Sequence, residues 1–190
     1  MSIKLYGSYT SPYVRHCRTA LNESGLDWEL IETDATASAT QSPTQKVPFL
    51  KHGDVCLTDS SSIVRYVREQ AGQSFCPDIT DYDLLCTANT LLDACVNLFL
   101  LERFGGKDLG GNPYLKRQGA RNNTGLAYLE SLTLSAQAPF NDGELRLACF
   151  LDWGLFRERL SLEGYPKLQA FLSAVRQHPA FASTQPPADA

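Results

Sequence analysis

The 190-residue sequence contains no C-x-x-C pair, although it has six cysteines: Cys17, Cys56, Cys76, Cys86, Cys95 and Cys149. Cysteines so scattered, in a chain without an export signal, read as reduced and mostly buried small apolar side chains, not as a disulfide framework. Histidine is scarce. His16, His52 and His178 lie far apart and share no metal-ligand spacing with a cysteine, so no metal is expected. The longest dense apolar run, Leu147 to Leu151, is five residues, and no segment is expected to cross a bilayer. The start, Met1-Ser2-Ile3-Lys4-Leu5, lacks the apolar core of a signal peptide. A basic excess is also missing: 17 Lys and Arg stand against 21 Asp and Glu, for a net charge of -4, which argues against a nucleic-acid partner. A small anionic ligand does not conflict with that balance, because a local positive site can sit in an acidic protein. These absences point to a cytoplasmic protein.

What is present is ordinary globular material, with 43% apolar and 20% charged residues, enough chain for one large or two small domains. The first 72 residues alternate strand and helix signals. Ile3-Lys4-Leu5-Tyr6 reads as a strand ended by Gly7, and Ser11-Pro12 as a helix start, with Ser as cap and Pro at the first helical position. Val14, Cys17 and Leu21 then form one apolar stripe down to Gly25. Trp28 to Glu32 is a second strand. Residues 33–45, rich in Thr, Ala, Ser and Gln, read as an irregular or mobile loop. Val47-Pro48-Phe49-Leu50 and Val55-Cys56-Leu57 flank a Gly-Asp turn, and a helix runs from about Ser60 to Gly72.

Residues 73–80 read as a linker. Beyond it no strand signal occurs, and four helices are expected: Asp81 to Phe104, stopped by Gly105-Gly106; Pro113 to Leu134; Asn141 to Leu160; and Pro166 to Gln177. Asn141 and Glu144 have capping-box spacing, and Leu145 to Phe156 is apolar almost all round, as in a helix at the centre of a bundle. The predicted class is α/β followed by all-α. A β-α-β-(loop)-β-β-α domain over residues 1–75 precedes an all-helical domain over 81–190.

Three features carry chemistry. Ser11 sits at the positive end of a helix among unpaired backbone N–H groups, an environment that suits an anion such as a thiolate. The segment Thr10-Ser11-Pro12-Tyr13-Val14 resembles the redox corner of glutaredoxins and thioredoxins, with Ser11 and Val14 where the two cysteines would stand. Without either thiol, no disulfide cycle can run there. Pro48 interrupts a strand-like run, and a bend at that point leaves the Val47 N–H and C=O open to pair with an extended peptide. Thr58-Asp59-Ser60-Ser61 forms a strand-to-helix turn. Its amides and the Ser60 hydroxyl can hold a carboxylate while Asp59 takes an ammonium, the two groups of an α-amino acid end. Each feature also has a plain structural reading as a cap or a turn.

In order and spacing, the three resemble the glutathione S-transferase family over essentially the whole chain. Gly7 to Arg15 looks like the opening of a bacterial branch of that family, Gly143 to Cys149 resembles its buried helix, and Phe181 to Pro187 resembles that branch's C-terminal end. The resemblance implies a thioredoxin-like glutathione-binding domain followed by the family's helical domain, with a cis Pro48. It implies glutathione as co-substrate, its γ-glutamyl end at Asp59 and Ser60, its cysteinyl backbone on Val47 and its glycyl carboxylate near Lys46 or Gln45. Gln45 stands where a glycine is often found. The sulfur is expected at Ser11, with Thr10 as runner-up. Tyr9, Tyr13, Phe99, Arg103 and Tyr114 are expected to line an electrophile site between the domains, whereas Arg15, Cys17 and Trp153 are expected to be structural. The implied activity is conjugation of the glutathione thiolate to small electrophiles, by a homodimer. A glutathione-dependent isomerase or dehalogenase, and a non-catalytic glutathione- or partner-binding protein, are the alternatives.

Overall fold

The computed structural model describes residues 2–105 and 111–187. These form two compact units. One comprises the chain up to Pro77 together with the segment from Arg176 onward, and the other runs from Asp78 to Val175. Residues 176–187 are grouped with the first unit.

The first unit opens with β1 (Ile3–Gly7), α1 (Pro12–Ser24) and β2 (Trp28–Glu32), and continues with α2 (Ala35–Gln41), β3 (Phe49–His52), β4 (Val55–Leu57) and α3 (Ser60–Gln70). Its mixed sheet has the order β2-β1-β3-β4: β1 runs parallel to β2 and antiparallel to β3, and β3 and β4 form a hairpin. The parallel pair needs a crossover, and α1 supplies it. Ile3 and Leu5 from β1, Val14, Cys17 and Leu21 from α1, Leu50, and Ile63, Val64 and Val67 from α3 make one apolar core. This is the thioredoxin-like arrangement that the sequence implies.

Two expectations fail locally. The segment 33–45 is not irregular throughout but contains α2, whose cap is Asp34: the Ala37 N–H donates to Asp34 Oδ1 at 2.7 Å. Composition hid a helix start that the acid reveals. The strand expected at Val47 begins only at Phe49, since Pro48 has no N–H to give the ladder.

The tail is the least expected part of the unit. After α8 (Pro179–Ala182), Phe181 and Thr184 are fully buried against α1. Arg15 donates from Nε to Thr184 Oγ1 (3.2 Å) and lays its guanidinium over the Phe181 ring, 3.9 Å from the centroid. Arg18 donates from Nη1 to the Thr184 carbonyl at 3.1 Å. Glu23 accepts from Arg68 and pairs with His178, each contact at 2.6 Å.

The second unit contains α4 (Ile79–Phe104), α5 (Pro113–Ser131), α6 (Asp142–Phe156) and α7 (Pro166–Arg176), with no strand among its described residues. α4 starts inside the expected linker, capped by Asp78, which accepts from the Thr80 and Asp81 N–H groups. Its stop falls at Gly105; the expected Gly106 lies outside the described residues. α6 carries the anticipated capping box between Asn141 and Glu144 and is buried from Asp142 to Gly154, but it ends at Phe156, not Leu160.

α4 has 26 residues and a mean hydropathy of 1.7 over its most apolar window, long and apolar enough to span a bilayer by those measures. Here it packs against α5 and α6. Of the six thiols, Cys17, Cys95 and Cys149 are buried, Cys76 is half-buried, and Cys56 and Cys86 are exposed, so burial accounts for only half of them.

Candidate functional site

The site is built where β1 meets α1. Gly7 ends the strand beneath Val14: a Cβ at Gly7 would lie 2.4 Å from Val14 Cγ2, so only glycine lets the helix come this close. The chain then turns through Ser8, Tyr9 and Thr10 into the cap. Ser11 takes an extended backbone (φ -77°, ψ 126°), and its Oγ accepts from the Val14 N–H at 3.4 Å. A hydroxyl that accepts in this way still has its own proton to donate, and the helix dipole favours a negative charge beside it. Thr10 is placed differently. Its Oγ1 lies 3.0 Å from Ser8 Oγ, sharing a hydrogen bond with it, and its N–H donates to the same Ser8 oxygen at 3.3 Å. Ser8 carries little signal in the sequence; its position two residues before a threonine marks a turn that composition alone does not rank.

Tyr9 lies beneath the Arg18 guanidinium, 4.9 Å from Cζ to the ring centroid. Burial pushes the Arg18 guanidinium below its ordinary value, Tyr9 opposes that shift, and Arg15 adds to it. Tyr13 is half-buried in the first turn of α1. Cys17, fully buried, donates to the Ser60 carbonyl at 3.7 Å and belongs to the core.

The Val47–Pro48 peptide bond is cis. Val47 is half-buried, rests on the core and lies outside the strand pairings, so its main chain borders the sheet without belonging to it. Lys46 is exposed. Gln45 adopts φ 53°, the left-handed region, which is the physical reason a glycine suits that place.

At the start of α3 the structure departs from the simple picture. Asp59 is the cap itself: its Oδ1 accepts from the N–H groups of Ser61 (2.8 Å) and Ser62 (3.2 Å). Those two amides, offered by the sequence to a ligand carboxylate, are already used. Asp59 is exposed, and Ser60 is 6% exposed at the first helical position.

The remaining candidates belong to the second unit. Phe99 meets Trp153 edge-on, with centroids 5.6 Å apart, and the guanidinium of Arg103, one turn further along α4, lies 6.0 Å from the Phe99 ring. Arg157 and Arg159 also face that ring, at 5.6 and 5.2 Å. Tyr114 projects from the start of α5, 64% exposed. Among the described residues no group of acidic, histidine and cysteine side chains could hold a metal ion.

Residues 5–75 match the family model for the glutathione S-transferase N-terminal domain. Glutathione S-transferase 3 of Zea mays is 39% identical over 72 residues, 34% of this chain and 32% of its own; the corresponding match to Zea mays glutathione S-transferase 4 spans 33% of that relative. The chain thus aligns with about a third of the maize relatives. Glutathione S-transferase U17 of Arabidopsis thaliana is 29% identical over 167 residues, 80% of this chain and 73% of the relative. Among solved structures, a glutathione transferase family member from Pseudomonas fluorescens with bound glutathione superimposes with a TM-score of 0.87 at 24% identity, covering 98% of this chain and 100% of that one. The glutathione S-transferase from Methylobacillus flagellatus, also with glutathione bound, gives 0.86 at 23% identity, with the same coverage. These two likenesses speak to the fold, and the domain match to ancestry of one part: residues 5–75 match the glutathione S-transferase N-terminal domain, and the longest sequence alignment, at 29% identity, is with a glutathione S-transferase.

Proposed function

We propose that this protein is a glutathione transferase that binds glutathione along the first unit and transfers its thiolate to a small electrophile. The observation that carries the reading is the Ser11 hydroxyl. It sits at the N-terminus of α1, its oxygen holds the Val14 N–H, and its proton is left for a ligand sulfur. Thr10 is the lesser candidate because its hydroxyl is engaged with Ser8.

The energetics favour a shared task. A thiol of pKa about 8.5 must fall by roughly two units to be mostly ionised at neutral pH, about 2.7 kcal/mol. A helix N-terminus contributes about 0.3–1 kcal/mol, up to about 2 in sheltered geometry. A hydrogen bond to a charged group adds about 1.5–3 kcal/mol. Neither suffices safely alone; together they do. The protein forms no covalent intermediate in this scheme: glutathione supplies the nucleophile, and the residues around it bind, orient and polarise.

Val47, before the cis Pro48, offers its backbone to the cysteinyl residue of glutathione in the manner of an added strand. Asp59 has one carboxylate oxygen committed to its helix and the other for the γ-glutamyl ammonium, with Ser60 beside it. Lys46 is the exposed cation for the glycyl carboxylate. For the electrophile, Tyr9 and Tyr13 are the candidates of the first unit, and Phe99, Arg103 and Tyr114 those of the second. Cytoplasmic location and a homodimer belong to the same reading.

Retention on immobilised glutathione, followed by conjugation of a generic aryl halide, tests the proposal. Retention with turnover is expected. Failure to bind the resin overturns it, and retention without turnover of any electrophile assigns the protein to the glutathione-binding, non-catalytic alternative.

A further inference from the structure

The helical unit holds a cavity of about 570 Å3, within the range that encloses small ligands. α4 lines it with Cys95, Leu98 and Glu102, and α5 with Gly119, Asn122 and Leu126, each set spaced to fall on one helix face. The chain after α6 closes it with Glu158 to Leu160 and with Glu163. We propose that this cavity binds a small organic ammonium ion, a protonated amine on a short hydrocarbon body. It lies wholly within the second unit and does not depend on the transferase reading.

Gly119 is the first of three independent signs. It lies inside α5, where glycine costs about 1 kcal/mol against alanine. Gly125, in the same helix, has a packing reason, since a Cβ there would lie 2.4 Å from Leu91 Cδ2. At Gly119 a Cβ would meet nothing within 4 Å. The missing side chain serves no contact; it leaves the cavity open.

Asn122 is the second. It is 8% exposed, it lines the cavity, and its carboxamide oxygen has no hydrogen-bond partner among the described residues. A buried acceptor in that state costs about 1–3 kcal/mol, which a ligand N–H recovers.

Charge is the third. Glu102 is paired with Arg159, whereas Glu158 and Glu163 have no ion pair among the described residues, so the lining has an excess of two carboxylates over its one cation. Glu158 is held at φ 54°, a left-handed position at the end of α6 that glycine would occupy with less strain. Cys95 adds no nucleophile, because burial pushes its thiol up to about 11. Leu98, Leu126 and Leu160 supply apolar wall for a hydrocarbon body. An anion of the same length meets the negative rim.

Calorimetric titration of the full chain with hexylammonium, hexanoate and hexanol, each with and without saturating glutathione, tests the assignment. Hexylammonium is expected to bind saturably at one site per chain, tighter than the other two by about tenfold or more and indifferent to glutathione. Gly119→Leu fills the open space and is expected to weaken hexylammonium about tenfold while the unfolding temperature holds or rises. Glu158→Gln with Glu163→Gln is expected to remove the preference over hexanol. No hexylammonium binding, equal binding of hexanoate, competition by glutathione, or unchanged affinity in Gly119→Leu overturns the proposal.

Discussion

α6 and α1 are both buried on nearly every side, and both carry charged side chains into the interior. α6 is buried from Asp142 to Gly154; its apolar positions announce a central place, but Asp142, Glu144, Arg146 and Asp152 are buried with them. α1 is buried without a break from Val14 to Leu21, yet Arg15, His16, Arg18 and Thr19 are among those residues. Its apolar stripe faces the sheet side of the core. Its polar face is covered by the C-terminal tail, which accepts from both arginines through Thr184 and stacks Phe181 beneath Arg15. Glu144 of α6 accepts from the Ser135 N–H nine residues away, whereas the arginines of α1 donate to a residue more than 160 positions distant. The helix that presents Ser11 is the one tied down from afar.

That contrast can be broken from either side. Leu147→Ala in α6, at a fully buried position, should lower stability by about 2–5 kcal/mol in a denaturant titration, because it opens a cavity in the core. Thr184→Val should cost less, about 1.5–3 kcal/mol, by taking the acceptor from Arg15 Nε, and Thr184→Ser should restore nearly all of it. If valine and serine behave alike there, the polar face of α1 is held by shape and not by hydrogen bonding. Gln45→Gly lies outside both helices and sets the scale for backbone effects. Relief at φ 53° should raise the unfolding midpoint by the equivalent of less than about 1 kcal/mol, since glycine also loosens the unfolded chain.

The same contrast explains what the sequence makes legible. Ser11-Pro12 reads directly as a cap and first turn, and Asn141 with Glu144 as a capping box, because these signals act over three residues. The alternation of strand and helix in the first 72 residues, followed by helices, is local periodicity and survives among the described residues apart from α2 and the later start of β3. The shelter of Arg15 and Arg18 is invisible from their neighbourhood; only the return of the tail creates it. The role of Asp59 as cap was open to inspection, since Asp directly before a helix is a strong cap, yet the ligand-binding reading of that turn hid the consumption of the Ser61 and Ser62 amides. α2 is hard to read for a related reason: its Thr- and Ser-rich composition masks the Asp34 cap. The cavity beside Gly119 draws on α4, α5 and the connection beyond α6, and no window of the sequence contains it.

The measurement closest to the central claim is the pKa of glutathione's thiol when bound, followed by the ultraviolet absorbance of the thiolate as pH is raised, in the native protein and in Ser11→Ala. A native value about two units below that of the free thiol, returning most of the way in the variant while glutathione affinity stays within a few-fold, is the predicted result. An identical titration in the two proteins, or a loss of glutathione binding in Ser11→Ala, contradicts the assignment of the sulfur to the first helix's cap.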